Sequence, residues 1–371
     1  MAGTSDVMPE QRPQSPSVRF PGPSRFRHAL GHHVSLRLPD RDLKRRGRLY
    51  AKSVVIAIWF VLSYLGLMFV SGAWWTTILL MASLVLAMAG LAFNVLHDGG
   101  HGAYAPRATV NRAMAMTLDL FGGSSFVWKW KHNVLHHTYP NVLGVDADVD
   151  LWPFVRMSAA MARYRVHRFQ HWYIWALYAL LPLQWYVSDV KFLVTGRLGS
   201  RAFPRPRGAE LLMFVAGKLV FAAWAIVLPL AFHAPGDVLV VWLVCSFALG
   251  LVLSVPFQVA HCVVGVQPVR PSSGDEPEWA IHQVATTANF AISNRAMTWY
   301  LGGLNFQIEH HLFPSVAHIH YRALSPIVRG VCKDFGVPYV AFDTLGAALK
   351  SHIEWLRRLG SPEPEPSSKL A

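Results

Sequence analysis

Residues 74–101 read WWTTILLMASLVLAMAGLAFNVLHDGGH, an apolar run that ends in two histidines four positions apart. The first 20 residues of this run carry no charged side chain, and roughly 17–25 apolar residues suffice for a helix to cross a bilayer. Histidines at positions i and i+4 lie on one face of a helix, where two imidazoles can bind the same ion. The stretch therefore predicts a transmembrane helix that carries His97 and His101 to a metal site at its end.

Three further apolar runs are long enough to span a membrane, and they place the chain among integral membrane proteins. The chain is 53% hydrophobic and has a mean hydropathy of +0.30, which is high for a soluble protein of 371 residues. Lys218 interrupts the third span near its start, where we expect its side chain to snorkel toward the membrane surface. The four predicted spans are residues 53–70, 74–93, 211–232 and 238–257.

The net charge of +13 comes largely from basic residues that flank the apolar runs, and no nucleic-acid-binding motif accompanies them. Cytoplasmic loops beside transmembrane helices carry this bias, so the charge indicates membrane topology and no nucleic-acid partner is expected. With the basic N-terminal segment in the cytoplasm, the four spans form two hairpins that return the chain to the same side. All histidine groups are then expected at the cytoplasmic face.

A fifth apolar segment, residues 171–187 (HWYIWALYALLPLQWYV), is nearly long enough to cross the bilayer. Basic residues flank it on both sides, and a single crossing here would separate the histidine groups. Its tryptophans and tyrosines suit a helix that lies in the headgroup plane. We therefore expect an all-α integral membrane protein with four transmembrane helices in two hairpins, under a cytoplasmic helical cap that holds a histidine-rich site for two metal ions.

The two ends of the chain differ in composition from its apolar centre. We expect residues 1–50 to form a basic, partly disordered cytoplasmic segment, residues 51–350 to form the membrane domain, and residues 351–371 to form a tail with a disordered end. The three cysteines, Cys245, Cys262 and Cys332, show no paired spacing, so neither a disulfide framework nor a thiolate metal site is expected.

Eight of the 18 histidines fall into four groups beside apolar sequence: HDGGH, HNVLHH, QIEHH and a lone histidine that follows the fourth span. Imidazole binds iron, copper, nickel and zinc, and the spacing within HNVLHH can direct rings at two neighbouring ions. Since a four-coordinate ion takes about four ligands, eight imidazoles predict two ions, and this metal centre is the expected catalytic group. The candidate ligands are His97, His101, His132, His136, His137, His261, His310 and His311.

The site is poor in carboxylates, because neither Glu-x-x-His nor His-Glu-x-x-His occurs in the chain. Those motifs are typical of ferritin-like di-iron sites and of zinc proteases, which the sequence therefore does not support. Asp146 and Asp148 lie in the stretch DADVD, which either orients ligand imidazoles or forms a solvated acidic loop. Glu309 is expected to hold a neighbouring histidine. Further residues expected near the ligands, with roles left open, are Asp98, His282 and Gln307.

The motifs HDGGH, HNVLHH and QIEHH resemble the three histidine boxes of the membrane fatty-acid desaturases, and the surrounding sequences NVLHDGGHGAY, WKWKHNVLHHTYPN and LGGLNFQIEHHLFP match as well. The resemblance covers residues 50–340 approximately and is closest to stand-alone bacterial members of the front-end branch. It implies two non-haem irons bound by the eight histidines, in a bacterial inner membrane. Gln307 stands where stearoyl-type relatives have histidine, so its role as weak ligand or water holder stays open.

The resemblance also implies an O2-dependent enzyme that introduces a cis double bond into a fatty acyl chain carried on a lipid or on coenzyme A. No His-Pro-Gly-Gly haem motif of a fused cytochrome b5 occurs in the sequence, so electrons are expected from a separate ferredoxin or cytochrome b5. Two alternatives stay open. One is a lipid hydroxylase or acetylenase on the same scaffold, and the other is a zinc-dependent membrane lipid hydrolase with about three histidine ligands and a metal-bound water.

Overall fold

Four long apolar helices dominate the computed structural model, which describes residues 19–37, 43–70, 72–146, 148, 151, 153–159, 161–199, 201–266 and 277–362. Within these ranges, four helices are long and apolar enough to cross a membrane, which confirms the predicted number of spans. The first span packs along the second, and the second packs against the fourth. The spans are Arg46–Phe69, Trp74–Gly100, Ala209–Leu230 and Pro235–His261.

Helices make up nearly all regular structure in the described residues, as the predicted all-α class requires. The α-helices are α1 Arg25–Ser35, α2 Leu43–Phe69, α3 Trp74–Leu91, α4 His97–Gly100, α5 Ala108–Ala115, α6 Ser125–Trp128, α7 Gln170–Ala179, α8 Leu181–Thr195, α9 Ala209–Ala222, α10 Leu228–Leu230, α11 Pro235–His261, α12 Trp279–Ala285, α13 Arg295–Tyr300, α14 Gln307–Leu312, α15 Tyr321–Asp334 and α16 Leu345–Gly360.

Shorter elements complete the architecture. π-Helical turns occupy Ala92–Leu96, Lys129–His136 and Ala223–Val227, and 3-10 helices occupy Met116–Phe121, Arg165–Phe169 and His318–His320. Two pairs of two-residue strands are the described departures from helix. β1 Arg197–Leu198 pairs antiparallel with β2 Arg201–Ala202, and β3 Asn289–Phe290 pairs parallel with β4 Ala341–Phe342.

The second span continues directly into the first histidine box, as predicted. A π-helical turn joins α3 to α4, and Asn94 in this turn donates hydrogen bonds to the carbonyl oxygens of Gly90 at 2.7 Å and Tyr300 at 2.9 Å. π-Turns inside α-helices occur often at functional sites, where they redirect side chains. The turn therefore lets one continuous helix carry the box out of the apolar core.

The two glycines inside HDGGH allow neighbouring elements to approach the helix closely. A Cβ on Gly100 would lie 2.1 Å from the ring of Trp128, and a Cβ on Gly99 would lie 2.6 Å from the Cβ of Met114. Both distances are shorter than any tolerated carbon–carbon contact. Glycine is thus required at both positions for α5 and α6 to pack against the box.

The side chain of Lys218 is held by polar partners from two other segments, which the sequence did not predict, and its location at the membrane surface stays a prediction. Its Nζ forms an ion pair with Asp189 and donates hydrogen bonds to the carbonyl oxygens of Gly122 at 2.5 Å and Gly123 at 3.1 Å. Asp189, on α8, is only 3% exposed, and its burial raises the pKa of the carboxyl to about 6 although Lys218 opposes this shift. A buried carboxylate needs a partner, and the partner comes from a distant helix.

Replacing Lys218 with methionine is expected to lower the free energy of unfolding by about 1–3 kcal/mol, because Asp189 and two carbonyl groups lose their partner. Unfolding in detergent, followed by circular dichroism, measures the change. Lys191→Met is the matched control, since Lys191 is exposed on the same helix as Asp189. Equal stability of the two variants would contradict a structural role for the ion pair.

Helices outside the four spans pack on one another and on the fourth span. The apolar segment 171–187 is divided at Leu180 between α7 and α8, and neither is among the four candidate spans. α7 lies so close to α11 that a Cβ on Gly250 would be 2.4 Å from the carbonyl oxygen of Ala179. Its location in the headgroup plane stays a prediction.

Helices near both ends of the chain belong to the packed structure. α16 packs on α7 and α11 and crosses the boundary predicted at residue 350, while α1 packs on α15 and α12. The predicted disordered ends fall mostly in residues 1–18 and 363–371, which lie outside the described residues. The domain boundaries therefore stay predictions.

Candidate metal centre

The four histidine groups, far apart in the sequence, meet in one buried cluster. The first group lies at the end of the second span and His261 ends the fourth, so both spans deliver histidines from their C-terminal ends. The π-helical turn Lys129–His136 carries most of HNVLHH, and α14 carries the histidines of QIEHH. Each of the eight predicted histidines has a ring nitrogen within 4.8 Å of those of at least two others.

The cluster contains two main groups of ring nitrogens. Each group combines histidines from at least two boxes, so neither forms until distant segments have packed. The first group consists of His97, His101, His132 and His310, and the second consists of His136, His261 and His311.

His137 lies between the two groups. Its Nε2 atom is 3.2 Å from Nε2 of His132 and 3.0 Å from Nε2 of His310, and it forms a third group with His310 and His311. Two nitrogens bound to one ion at about 2.1 Å are separated by roughly 3.0–3.4 Å. The observed separations therefore match those of ligands that share an ion.

Several ring nitrogens in the cluster are buried without a hydrogen-bond partner among the described residues. Leaving a buried polar atom unpaired costs about 1–3 kcal/mol, so five such atoms in one place need an explanation. A metal ion is the partner that fits a set of convergent imidazole lone pairs. The unpaired atoms are Nε2 of His101, His136, His261 and His311, and Nδ1 of His137.

The charge state of the rings also suits a metal site. Burial first, and neighbouring imidazoles second, lower the pKa of most cluster histidines outside the spans well below 6.5, so these rings are neutral and keep a free lone pair at neutral pH. His136 differs: burial alone would lower its pKa, but the charge and hydrogen bond of Asp146 raise it overall. The histidines with strongly lowered pKa are His101, His137, His310 and His311.

Asp146 orients a histidine of the second box by accepting a hydrogen bond from the ring nitrogen that points away from the cluster. The Nδ1–H of His136 donates to Oδ2 of Asp146 at 2.9 Å, which turns the unpaired Nε2 of His136 into the cluster. Asp146 is fully buried and also accepts the backbone N–H of Asn141 at 2.9 Å. Asp148 lies farther out, with Oδ2 at 3.5 Å from Nδ1 of His132 and an ion pair to Lys131. At Asp146, therefore, the structure favours an orienting carboxylate over a solvated loop.

Asp98 and Glu309 form their hydrogen bonds with residues outside the cluster. Asp98 accepts the Nδ1–H of His318 at 2.8 Å. Glu309 is fully buried and accepts hydrogen bonds from the Asn289 amide and the Tyr339 hydroxyl, both at 2.7 Å. The hydrogen bond expected between Glu309 and a neighbouring histidine is thus not formed.

Gln307 and His282 are buried beside the boxes. Gln307 lies on α14 three residues before His310, and its Oε1 atom has no partner in the described part of the chain. His282 bonds through Nε2 to the carbonyl oxygen of Pro140 at 3.0 Å and belongs to none of the ring-nitrogen groups. The geometry thus makes His282 a support for the loop after the second box, while the role of Gln307 stays open.

Several residues that shape the site were not predicted. Phe257 packs on the rings of His136 and His261, with centroid distances of 4.9 and 5.0 Å. Its position four residues before His261, on the same helical face, was the one sequence feature that could have predicted this contact. The indole of Trp128 stacks on His132 with a centroid distance of 4.4 Å. No local pattern marks the residues that accept hydrogen bonds from Nδ1 of His311, His261 and His310, which are Gln283, Thr286 and Tyr321 at 3.0, 3.2 and 3.1 Å.

Comparison with known proteins agrees with the geometry of the cluster. Residues 72–343, more than half of the chain, match the family described as fatty acid desaturase. The chain belongs to the fatty acid desaturase family. This desaturase is therefore an oxidoreductase that acts on fatty acyl chains, and the resemblance seen in the three histidine boxes is confirmed.

Two curated relatives match almost the whole length of this desaturase, and a third matches about three quarters of it. The sn-1 linoleoyl-lipid 6-desaturase of Synechocystis sp. is 36% identical over 92% of this chain and 98% of the relative. The sn-1 linoleoyl-lipid 6-desaturase of Arthrospira platensis is 34% identical over 93% of this chain and 95% of the relative. An acyl-lipid (8-3)-desaturase of Physcomitrium patens is 38% identical over 74% of this chain and 58% of its own length.

Proposed function

We propose that this desaturase introduces a cis double bond into a fatty acyl chain that is part of a membrane lipid, with two iron ions, O2 and electrons from a separate protein. The observation that carries the proposal is the buried cluster of eight convergent histidines at the common end of two spans. The unpaired nitrogens in both main groups support two ions and not one. The eight histidines are the proposed ligands, with His137 between the two ions.

The substrate class is supported by the relatives and by a cavity. The relatives named above are lipid-linked acyl desaturases. A mostly apolar cavity of about 450 Å³ lies between the spans, and its wall includes Met81, Leu84, Met88, Phe221 and Leu249 but none of the eight histidines. An acyl chain is a long, flexible hydrocarbon, so a cavity of this composition can hold part of it away from water. The relatives therefore carry the proposal of a lipid-linked acyl chain, and the cavity adds an apolar space between the spans.

Each group around the histidines has a proposed task. Iron bound by these histidines would supply, with O2, the oxidising chemistry needed to remove two hydrogens from unactivated methylenes. The two substrate hydrogens, together with two electrons and two protons from outside, would reduce O2 to two waters. Asp146 and the residues that accept Nδ1–H bonds keep the ligand rings in their orientation. Phe257 and Trp128 pack on the rings and keep bulk water from them.

The proposed active site faces the cytoplasm, and electrons come from a ferredoxin or a cytochrome b5. The topology rests on the basic residues that precede the first span, since positive residues are retained on the cytoplasmic side. The second and fourth spans end at the histidine cluster, so a cytoplasmic start places the cluster within reach of soluble electron carriers. The inner membrane of a bacterium satisfies both conditions.

Product and metal analysis test this proposal together. The full chain is expressed in a host with defined membrane lipids, and the new acyl chains are compared with those of the same host without the protein and without O2. We expect lipid acyl chains that have lost two hydrogens, and about two irons per purified chain. Acyl chains that gain one oxygen atom would instead indicate a hydroxylase. About one zinc per chain with release of free fatty acid would indicate a hydrolase.

A further inference from the structure

A second cavity, of about 650 Å³, opens on the protein surface where the first span begins. Its wall carries several cations and, among the described residues, no carboxylate. Three apolar or aromatic residues complete much of the wall, namely Trp299, Ile319 and Ala323. The cations are Arg48, Lys52, Arg295 and Arg322, from the first span and from α13 and α15. We call this feature the basic cavity.

The three arginines of the basic cavity are exposed and lack a carboxylate partner within the described ranges of the chain. Like charges that face one cavity repel each other, and more strongly where water is scarce. An anion relieves this repulsion. The planar guanidinium group of arginine is matched to phosphate, which it binds through two parallel hydrogen bonds.

The side chain of Lys52 is buried in the wall of this cavity and held by hydrogen bonds, unlike a mobile surface lysine. It is only 8% exposed, and its Nζ donates to Nε2 of His318 at 3.1 Å. His318 in turn donates from Nδ1 to the buried Asp98 at 2.8 Å, and Nζ also lies 5.2 Å from the centre of the Trp299 ring. The chain Lys52–His318–Asp98 therefore fixes one positive charge at the cavity wall, and Asp98 directly follows the cluster residue His97.

The basic cavity lies at the start of the first candidate span, which corresponds to the headgroup level of a membrane that this helix crosses. Arg48 and Lys52 occupy the first turns of a transmembrane helix that begins at Arg46. Trp299 is 46% exposed beside them, and tryptophan concentrates at the boundary between membrane and water. Basic pockets at the ends of transmembrane helices bind anionic headgroups.

We propose that the basic cavity binds the phosphate of an anionic phospholipid, with the three arginines around the phosphate and Lys52 against its inner side. The position at the start of a span favours a lipid over a soluble phosphate such as coenzyme A. This binding does not require metal or catalysis, so it can be measured on the metal-free protein. Failure of the proposed desaturation would leave it untouched.

Lipid binding by the full metal-free chain tests the site. The protein is placed in nanodiscs of phosphatidylcholine with increasing phosphatidylglycerol, and native mass spectrometry counts the lipid retained. Arg295→Gln combined with Arg322→Gln is expected to weaken phosphatidylglycerol binding at least about fivefold. The matched control combines Arg205→Gln with Arg207→Gln, which removes the same charge from exposed residues elsewhere, and it is expected to change binding less than about twofold. Arg48→Gln serves if the first double variant fails to fold.

Four results would overturn the proposal. The first is an equal loss in both double variants, which would indicate a general effect of charge. The second is wild-type protein that binds phosphatidylglycerol no better than phosphatidylcholine. The third is displacement of the lipid by coenzyme A or inorganic phosphate at matched concentration, which would indicate a soluble phosphate ligand. The fourth is an Arg295→Gln, Arg322→Gln variant that binds phosphatidylglycerol as well as the unchanged protein but has lost affinity for an acidic electron-transfer protein. That result would assign the cavity to protein docking.

Discussion

Replacing His136 with alanine is expected to abolish desaturation and to remove metal from the second group of histidines, while the protein stays inserted in the membrane. His136 contributes a buried, unpaired Nε2 to this group, together with His261 and His311. An alanine leaves only two imidazoles in this group, beside His137 between the two groups, and an ion there loses one of its about four ligands. Product analysis in membranes and the iron content of the purified chain measure the two effects.

His352→Ala is the control for losing a buried histidine. His352 is as fully buried as His136, but it bonds to Tyr178 and to the carbonyl oxygen of Cys262, away from the cluster. This variant is expected to lose some stability and to keep its iron and activity. Activity retained in His136→Ala would remove the second box from the metal site, and iron lost equally from both variants would attribute the effect to misfolding.

Replacing Asp146 with asparagine is expected to weaken metal binding about 10- to 100-fold, the usual effect of losing a carboxylate that holds a ligand imidazole. The neutral amide no longer balances charge on His136 and accepts its Nδ1–H bond less strongly. Iron titration of the metal-free variant measures the affinity. Activity at saturating iron is expected to recover in part, because the imidazoles themselves are unchanged.

Asp334→Asn is the control for this substitution, since it removes one carboxylate from an exposed position at the end of α15. We expect its iron affinity to equal that of the unchanged protein. Asp146 also accepts the backbone N–H of Asn141, so the thermal unfolding of both metal-free variants must be compared. If Asp146→Asn only lowers stability and binds iron normally, Asp146 supports the loop and does not tune the metal site.

The four spans and the eight histidines could be predicted because each depends on a short segment. Twenty apolar residues form a helix in a bilayer whatever surrounds them, since the backbone has no other partner there. Spacing of four places His97 and His101 on one helical face without help from other elements. The basic flanks and the short turns then limited the topology to hairpins, and the four candidate spans agree with that expectation.

Side-chain partners were predicted less well, because they come from segments distant in sequence. The ion pair of Lys218 was not predicted, because its partner Asp189 lies on another helix, α8. Glu309 was expected to accept a hydrogen bond from a histidine, yet its two carboxylate oxygens accept hydrogen bonds from Asn289 and Tyr339. The local sequence around Lys218 and Glu309 contains neither partner.

Hydropathy and spacing within single segments were enough to predict a membrane protein with convergent imidazoles, because helix formation in lipid and ligand geometry on one helix are local properties. The enzymatic function was implied by the resemblance of the three histidine boxes to a known family. Packing of the folded chain decided how the histidines divide between two groups, which carboxylate stands behind them, and that four cations meet around one cavity. These arrangements join residues that lie up to hundreds of positions apart, so they exist only once the spans and the surrounding helices have docked.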